Sequence, residues 1–281
     1  MVKRLYRKIG QKDRTRNGKR GESGAHMLKE YDFGVIDEKG RLYVTDDVSQ
    51  YLALRQKGCY VVPCLHDGNR EVSFPGARYA IEDPEEIDEE AMERIYRRLA
   101  GLPWNICETE RCLIRETTED DLDSFYKIYA EPSVTEYMEE LYADRQEELA
   151  YIRDYREKVY AFYGYGMWTV IEKQSAEVIG RAGVSEREGY DLAELGFVIG
   201  VPWQRRGYAC EVCRAILKLA AEELEMERVQ AFVQPENTAS AALCAKLGFS
   251  KKERAQLADG IWYDRYEKRL HFCEGKCQKY V

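Results

Sequence analysis

The stretch from Glu194 to Phe249 constrains this chain more than any other. An apolar strand pattern, Glu194-Leu-Gly-Phe-Val-Ile-Gly-Val-Pro-Trp, meets Gln204-Arg-Arg-Gly-Tyr-Ala209, and a long helical run follows. Gly207 removes a Cβ where backbone must approach a ligand closely. The amides from Arg206 to Ala209 open a helix whose dipole favours anions, and Arg205 and Arg206 add positive charge. The loop therefore reads as a pyrophosphate site. Downstream, Gln234-Pro-Glu-Asn237-Thr-Ala-Ser240 and Lys246-Leu-Gly-Phe249 frame a shorter helix. Asn237 is placed to cap it, Gly248 to stop it and Phe249 to enter the core.

The switching of apolar period from 2 to 3.6 organises the rest. Residues 1–26 carry nine lysines and arginines with few apolar side chains and read as a basic, disordered tail. Residues 27–102 read as a small Rossmann-like α/β domain: strand Arg41–Thr45, a cap at Asp46 or Asp47, helix Val48–Lys57 and strand Cys59–Leu65. A further strand at Arg78–Ile81 and a helix from Pro84 to about Leu99 complete it. Residues 103–110 read as a linker, 111–270 as a second domain and 271–281 as a C-terminal tail. In the second domain we expect strand 111–116, helices near 119–130 and 144–161, and strands near 166–172, 177–186 and 192–199. Helix 207–224, strand 228–233, helix 238–247 and strands 249–256 and 261–269 follow. The fold class is α/β (α+β): a mixed sheet flanked by helices behind a smaller N-terminal βαβ domain.

Composition narrows the function. Asp+Glu 51 against Lys+Arg 43 leaves a net charge of −8, which argues against general nucleic-acid or anionic-membrane binding and suits a cationic substrate. No apolar run approaches the roughly 18 residues of a membrane span, and a cytoplasmic protein is expected. The nine cysteines are an odd count scattered through strands and helices, so reduced, packed thiols are expected rather than disulfides or a zinc site.

Gln204-Arg-Arg-Gly207-Tyr-Ala209, with its flanking strand, Asn237, Ser240 and Leu247-Gly-Phe249, resembles the GNAT superfamily of acetyl-CoA-dependent N-acetyltransferases. The ribosomal-protein branch is most similar, and the likeness covers roughly 111–269. It implies acetyl-CoA as cosubstrate, no metal, and a primary amine as acceptor, either a small molecule or a protein N-terminus. Gln204, Arg205, Arg206, Gly207, Tyr208 and Ala209 would then hold the pyrophosphate. Phe197, Val198 and Ile199 would line the pantetheine and acetyl group, with Val198 nearest the thioester, and Asn237 would contact or orient the pantetheine. Glu194 matches the carboxylate base and Ser240 the donor to the leaving thiolate. Many members carry a Tyr where this chain has Cys244, so Cys244 reads as packing. Glu211, in the first turn of the helix, is a weaker rival for the base.

Other features stay open. Tyr163, Tyr165, Trp168 and Tyr190 with Glu186, Glu188 and Asp191 either frame an acidic, aromatic cleft or populate ordinary sheet and turns. Residues 27–102 weakly resemble a haloacid-dehalogenase-like unit in that Asp46-Asp47 follows a strand, but the Asp-x-Asp pattern and a matching lysine motif are missing, which argues against that hydrolase chemistry. The loop Leu65-His66-Asp67-Gly68-Asn69 occupies a strand end where small ligands bind in open sheets; an adaptor or stabilising role fits this domain as well. The different-class alternative for the whole chain is a non-catalytic acetyl-CoA sensor.

Overall fold

The computed structural model describes residues 27–32 and 41–271. The tail expected over 1–26, and that expected over 271–281 apart from His271, lie outside the described residues. The chain divides into two compact units, Met1–Trp104 and Asn105–Val281.

The first unit holds β1 (Leu28–Asp32), β2 (Arg41–Thr45), α1 (Val48–Gln56), β3 (Tyr60–Pro63) and α2 (Glu89–Leu99). Its sheet order is β1-β2-β3; β1 is antiparallel to β2, and β2 is parallel to β3 across α1. This is the predicted βαβ unit. The Asp47 carboxylate accepts the Gln50 amide at 2.7 Å and starts α1. Arg78–Ile81 does not form a strand: only Ile81 bridges to Cys64. Helix α2 starts later than Pro84 because Asp88 supplies the cap, accepting from the Ala91 amide at 2.8 Å. Met92, Ile95 and Tyr96 bury against Leu42, Val44, Val62 and Cys64.

Asp46 and His66 lie 3.6 Å apart, and Asp46 also accepts the Met27 amide. Asn69 fixes the following loop, accepting from the His66 amide and donating to the carbonyls of Cys64 and Asp46. These polar groups brace the strand ends.

The second unit begins earlier than the sequence pattern shows. Residues 105–108, expected as linker, form β4 (Asn105–Glu108), which pairs with β5 (Cys112–Arg115). Four residues are too few to display an alternation, yet Ile106 and Cys107 pack on the core. After β5 come α3 (Leu122–Tyr129), the short α4 (Pro132–Thr135) and α5 (Arg145–Asp154). Helix α5 runs on as a π-helical stretch, Tyr155–Tyr160, and a last turn, Ala161–Tyr163. The wider π turn brings two phenols to one residue: Tyr155 accepts the Met167 amide at 2.8 Å and Tyr160 donates to the Met167 carbonyl at 2.5 Å.

Strands β6 (Met167–Glu172), β7 (Val178–Ser185) and β8 (Glu194–Ile199) follow, then α6 (Tyr208–Glu222) and β9 (Arg228–Val233). Helix α7 (Thr238–Lys246), β10 (Ser250–Gln256) and β11 (Trp262–Arg269) close the unit. The eight-stranded order is β10-β11-β9-β8-β7-β6-β5-β4, with every neighbour antiparallel except β8 and β9. Alternation sends Ala182, Val184 and Leu195 towards α6, and Arg181 and Val198 towards Phe125 and Ile128 of α3. The outer strand β10 is exposed almost throughout and carries Lys251, Lys252, Glu253 and Arg254, charges that discourage edge pairing.

A buried ion pair joins β5 to the start of α3. Arg115 reaches both oxygens of Asp121 at 2.8 and 2.6 Å, and Asp121 also accepts from the Thr118 amide and the Thr169 hydroxyl. Removing one partner strands the other charge, so Asp121→Ala should cost about 3–5 kcal/mol, read as a fall in the urea midpoint of the full chain.

Candidate active site

The sheet splits between β8 and β9. Their only ladder pair is Glu194 with Gln230, reinforced by the Gln230 amide donating to the Ala193 carbonyl at 2.9 Å. Gln230 is fully buried, and its side chain donates to the Leu192 carbonyl at 2.6 Å. Beyond this staple the strands diverge. β8 is fully registered with β7 on its other side, from Ser185 opposite Glu194 to Gly180 opposite Ile199.

Alternation decides which β8 amides face the opening. The Gly200 amide donates to the Ile179 carbonyl on the β7 side, so Val198, two residues earlier, also turns its polar groups to β7. Phe197 and Ile199 then face the split, and the Ile199 carbonyl accepts from the Gln204 side chain at 2.8 Å. The Val198 side chain packs with Ile128 and Val134, and the open polar edge belongs to its neighbours Phe197 and Ile199.

The loop after β8 passes through a 3-10 turn, Val201–Trp203, and two left-handed residues, Arg205 (φ 57°) and Gly207 (φ 86°). Glycine tolerates that φ without penalty. Gly207 caps α6 with no side-chain acceptor, so the amides of Tyr208, Ala209 and Cys210 have no partner from the cap or within the helix. The Arg206 guanidinium lies 5.0 Å from the Trp203 ring centroid, held beside these amides. Gln204 straps the loop to β8. Tyr208 is buried, so its backbone rather than its phenol is available to a ligand.

No spacing or motif marks Arg111, whose partner Glu211 lies a hundred residues away. Its guanidinium lies 4.1 Å from the Tyr208 ring centroid, donates to the Arg206 carbonyl and grips Glu211 at 2.6–2.7 Å. Burial alone would raise the pKa of Glu211. Hydrogen bonds from the Thr109 hydroxyl and from the backbone and side chain of Arg111 outweigh it and hold the carboxyl below its usual range. Glu211 thus clasps Arg111 through backbone and side chain. Beside it lies an open cleft of about 480 Å³, lined in part by Gly207, Cys210, Arg214 and Lys246.

Asn237 caps α7, accepting the Ser240 amide at 3.0 Å. Cys244 is buried, and burial pushes its thiol up to about 11. Glu194 stands at the staple with its side chain 13 % exposed and accepts from Arg187 Nε at 2.5 Å. Of the possible aromatic cleft, Trp168 is core, Tyr165 hydrogen-bonds Glu186, and Tyr190 packs edge-on against Phe232 at 4.8 Å.

A split sheet with a glycine-capped helix at its mouth coincides with a family match: the acetyltransferase (GNAT) domain, over residues 111–250. This chain belongs to the GNAT acetyltransferases. Among its relatives, the ribosomal protein uS5 alanine N-acetyltransferase of Escherichia coli is 33% identical over 124 residues, 42% of this chain and 62% of that protein. The uncharacterized N-acetyltransferase p20 of Bacillus licheniformis is 28% identical over 150 residues, 51% of this chain and 82% of its own length. An acetyltransferase structure from Agrobacterium tumefaciens superposes with a TM-score of 0.50 at 23% identity, covering 58% of this chain and 93% of that one; it shares the fold. The GNAT match makes this chain an acyltransferase. No described helix is long and apolar enough to cross a membrane.

Two outcomes follow for this GNAT domain. Arg111→Ala should free Glu211 and loosen the loop, weakening coenzyme A binding roughly tenfold by calorimetry, about 1.4 kcal/mol for a partly exposed charge-assisted clasp. Cys244, and Cys112, which burial likewise pushes up to about 11, should resist iodoacetamide at pH 8 in the folded protein. Both should react after denaturation, as read by mass spectrometry.

Proposed function

We propose that this chain moves the acetyl group of acetyl-CoA to a primary amine by direct attack on the thioester. The observation that carries this reading is the divergence of β8 from β9 directly ahead of the glycine-capped start of α6. A slot for an amide-rich arm and a cradle for a diphosphate thereby lie end to end. The residues present fit that ligand: Gly207 keeps the cradle free of a Cβ, α6 presents uncapped amides, and Arg205 and Arg206 supply charge.

In this reading Gln204 and the loop through Ala209 hold the diphosphate, and Arg214 and Lys246 in the adjoining cleft meet the remaining phosphate. The polar edges of Phe197 and Ile199 pair with the pantetheine amides and donate to the carbonyl oxygen, where negative charge grows during attack. Asn237 holds the first turn of α7 so that Ser240 stands beside the slot. Acetyl-CoA, once bound, supplies an activated thioester carbonyl. Glu194 takes the proton from the incoming ammonium, directly or through water, and the Ser240 hydroxyl donates one to the departing sulfur. Burial keeps Cys244 in the thiol form, so it packs α7 and carries no acetyl group.

The acceptor we favour is a protein N-terminal amine, since the Escherichia coli relative is named for an alanine of ribosomal protein uS5; a small-molecule amine fits the same chemistry. The test is incubation with labelled acetyl-CoA and a mixed pool of peptides and amines, with products identified by mass spectrometry and thiol release followed in parallel. Wild type should acetylate at least one amine. Glu194→Gln and Ser240→Ala should each lower kcat by about 10²-fold, the scale of a lost general acid or base. Tight coenzyme A binding with no product from any amine would instead favour a sensor.

A further inference from the structure

The carboxylate assigned above as base is already occupied by another cation. Arg187, on the β7–β8 connection, donates from Nε to Glu194 Oε2 at 2.5 Å. Its side chain is 38 % exposed against 13 % for Glu194, so the arginine covers the carboxylate from the solvent side. The guanidinium lies 5.8 Å from the Phe232 ring centroid on β9, the strand across the split.

Other charged and titratable groups surround the pair from every neighbouring element. Glu139, between α4 and α5, and Tyr263 of β11 both act electrostatically on Arg187. Asp259, in the β10–β11 turn, feels Arg187 in return and hydrogen-bonds Tyr263 at 2.8 Å. On the β6 side, Tyr165 holds Glu186. Across the staple, Gln230 is a neutral amide held by the Leu192 carbonyl and Arg265. Arg187 therefore has two further carboxylates, Glu139 and Asp259, within its field.

We propose that Arg187 is a positioning residue acting through Glu194, a stand-in for the acceptor's ammonium. The acceptor gains the base by exchanging cation for cation, and the displaced guanidinium turns to Glu139 and Asp259. Glu194 stays partnered in both states, so a half-buried carboxylate is never left bare. With the guanidinium gone, the carboxylate takes the proton from the ammonium nitrogen; the freed lone pair then forms the C–N bond as the C–S bond breaks. Arg187 thus selects acceptors that are cationic at neutral pH. The inference rests on Glu194 being the base.

The experiment compares wild type, Arg187→Gln, Arg187→Lys and Glu194→Gln on one acceptor found in the amine pool, with melting temperature as the check on folding. Removing the competitor should lower KM for the acceptor by roughly two- to fivefold, the range a half-exposed ion pair supports. The change should sit in KM, with kcat left at the wild-type value, because the guanidinium competes for the carboxylate and takes no part once the acceptor is bound. Arg187→Lys keeps the charge and should retain both wild-type values. An unchanged or raised KM in folded Arg187→Gln, or a KM that falls only together with kcat, overturns the inference. Wild-type turnover by Glu194→Gln would instead overturn the assignment of the base.

Discussion

Everything at the candidate active site hangs on one parallel contact, Glu194 with Gln230. Six of the seven interfaces in the large sheet are antiparallel ladders; this one is a single pair and then a gap. The buried Gln230 side chain holds the two strands together at that point, and the polar edges of Phe197 and Ile199 become available only because no further pairing consumes them. A sheet this long usually satisfies its internal backbone groups. Leaving two residues' worth open in the middle is a cost that a ligand's amides can offset.

The loop into α6 follows from the same divergence. The chain must leave β8, turn twice through left-handed backbone and start a helix without a capping side chain. Arg111 compensates from the far end of the unit, binding Glu211, the Arg206 carbonyl and the face of Tyr208 together. The loop is therefore braced from the turn ahead of β5, a segment distant in sequence but adjacent in space.

Much of this was legible in the residues. Apart from the short α4, which the pattern did not show, the elements from β5 to β11 match their predicted spans within one to three residues when α5 is counted through its π-helical extension, because each carries several apolar positions at a clear period and glycines mark the turns. The turn into α6 was legible because glycine, arginine and a helix start fall within six residues. The failures have physical reasons. β4 is too short to show a period, and Arg78–Ile81 has strand composition but only one bridging partner. Which of Phe197, Val198 and Ile199 turn their amides to the gap was not legible, because a list of apolar residues does not say which way each amide turns. Arg111 and Arg187 were invisible as site residues, since a cation's partner is set by tertiary contact and not by spacing.

The small strand β4 has a consequence for how the unit can be cut. The family match begins at residue 111, yet a fragment started there would strip Asn105–Glu108 from the sheet and bare the flank of β5. Cys112 and Ile114 are wholly buried, and the newly open backbone beside them would offer a docking rail to a second copy. At the opposite border, the lysines and arginine of β10 repel such a visitor. These four residues serve as the sheet's other bumper, and a trimmed enzyme lacking them would tend to stick to itself.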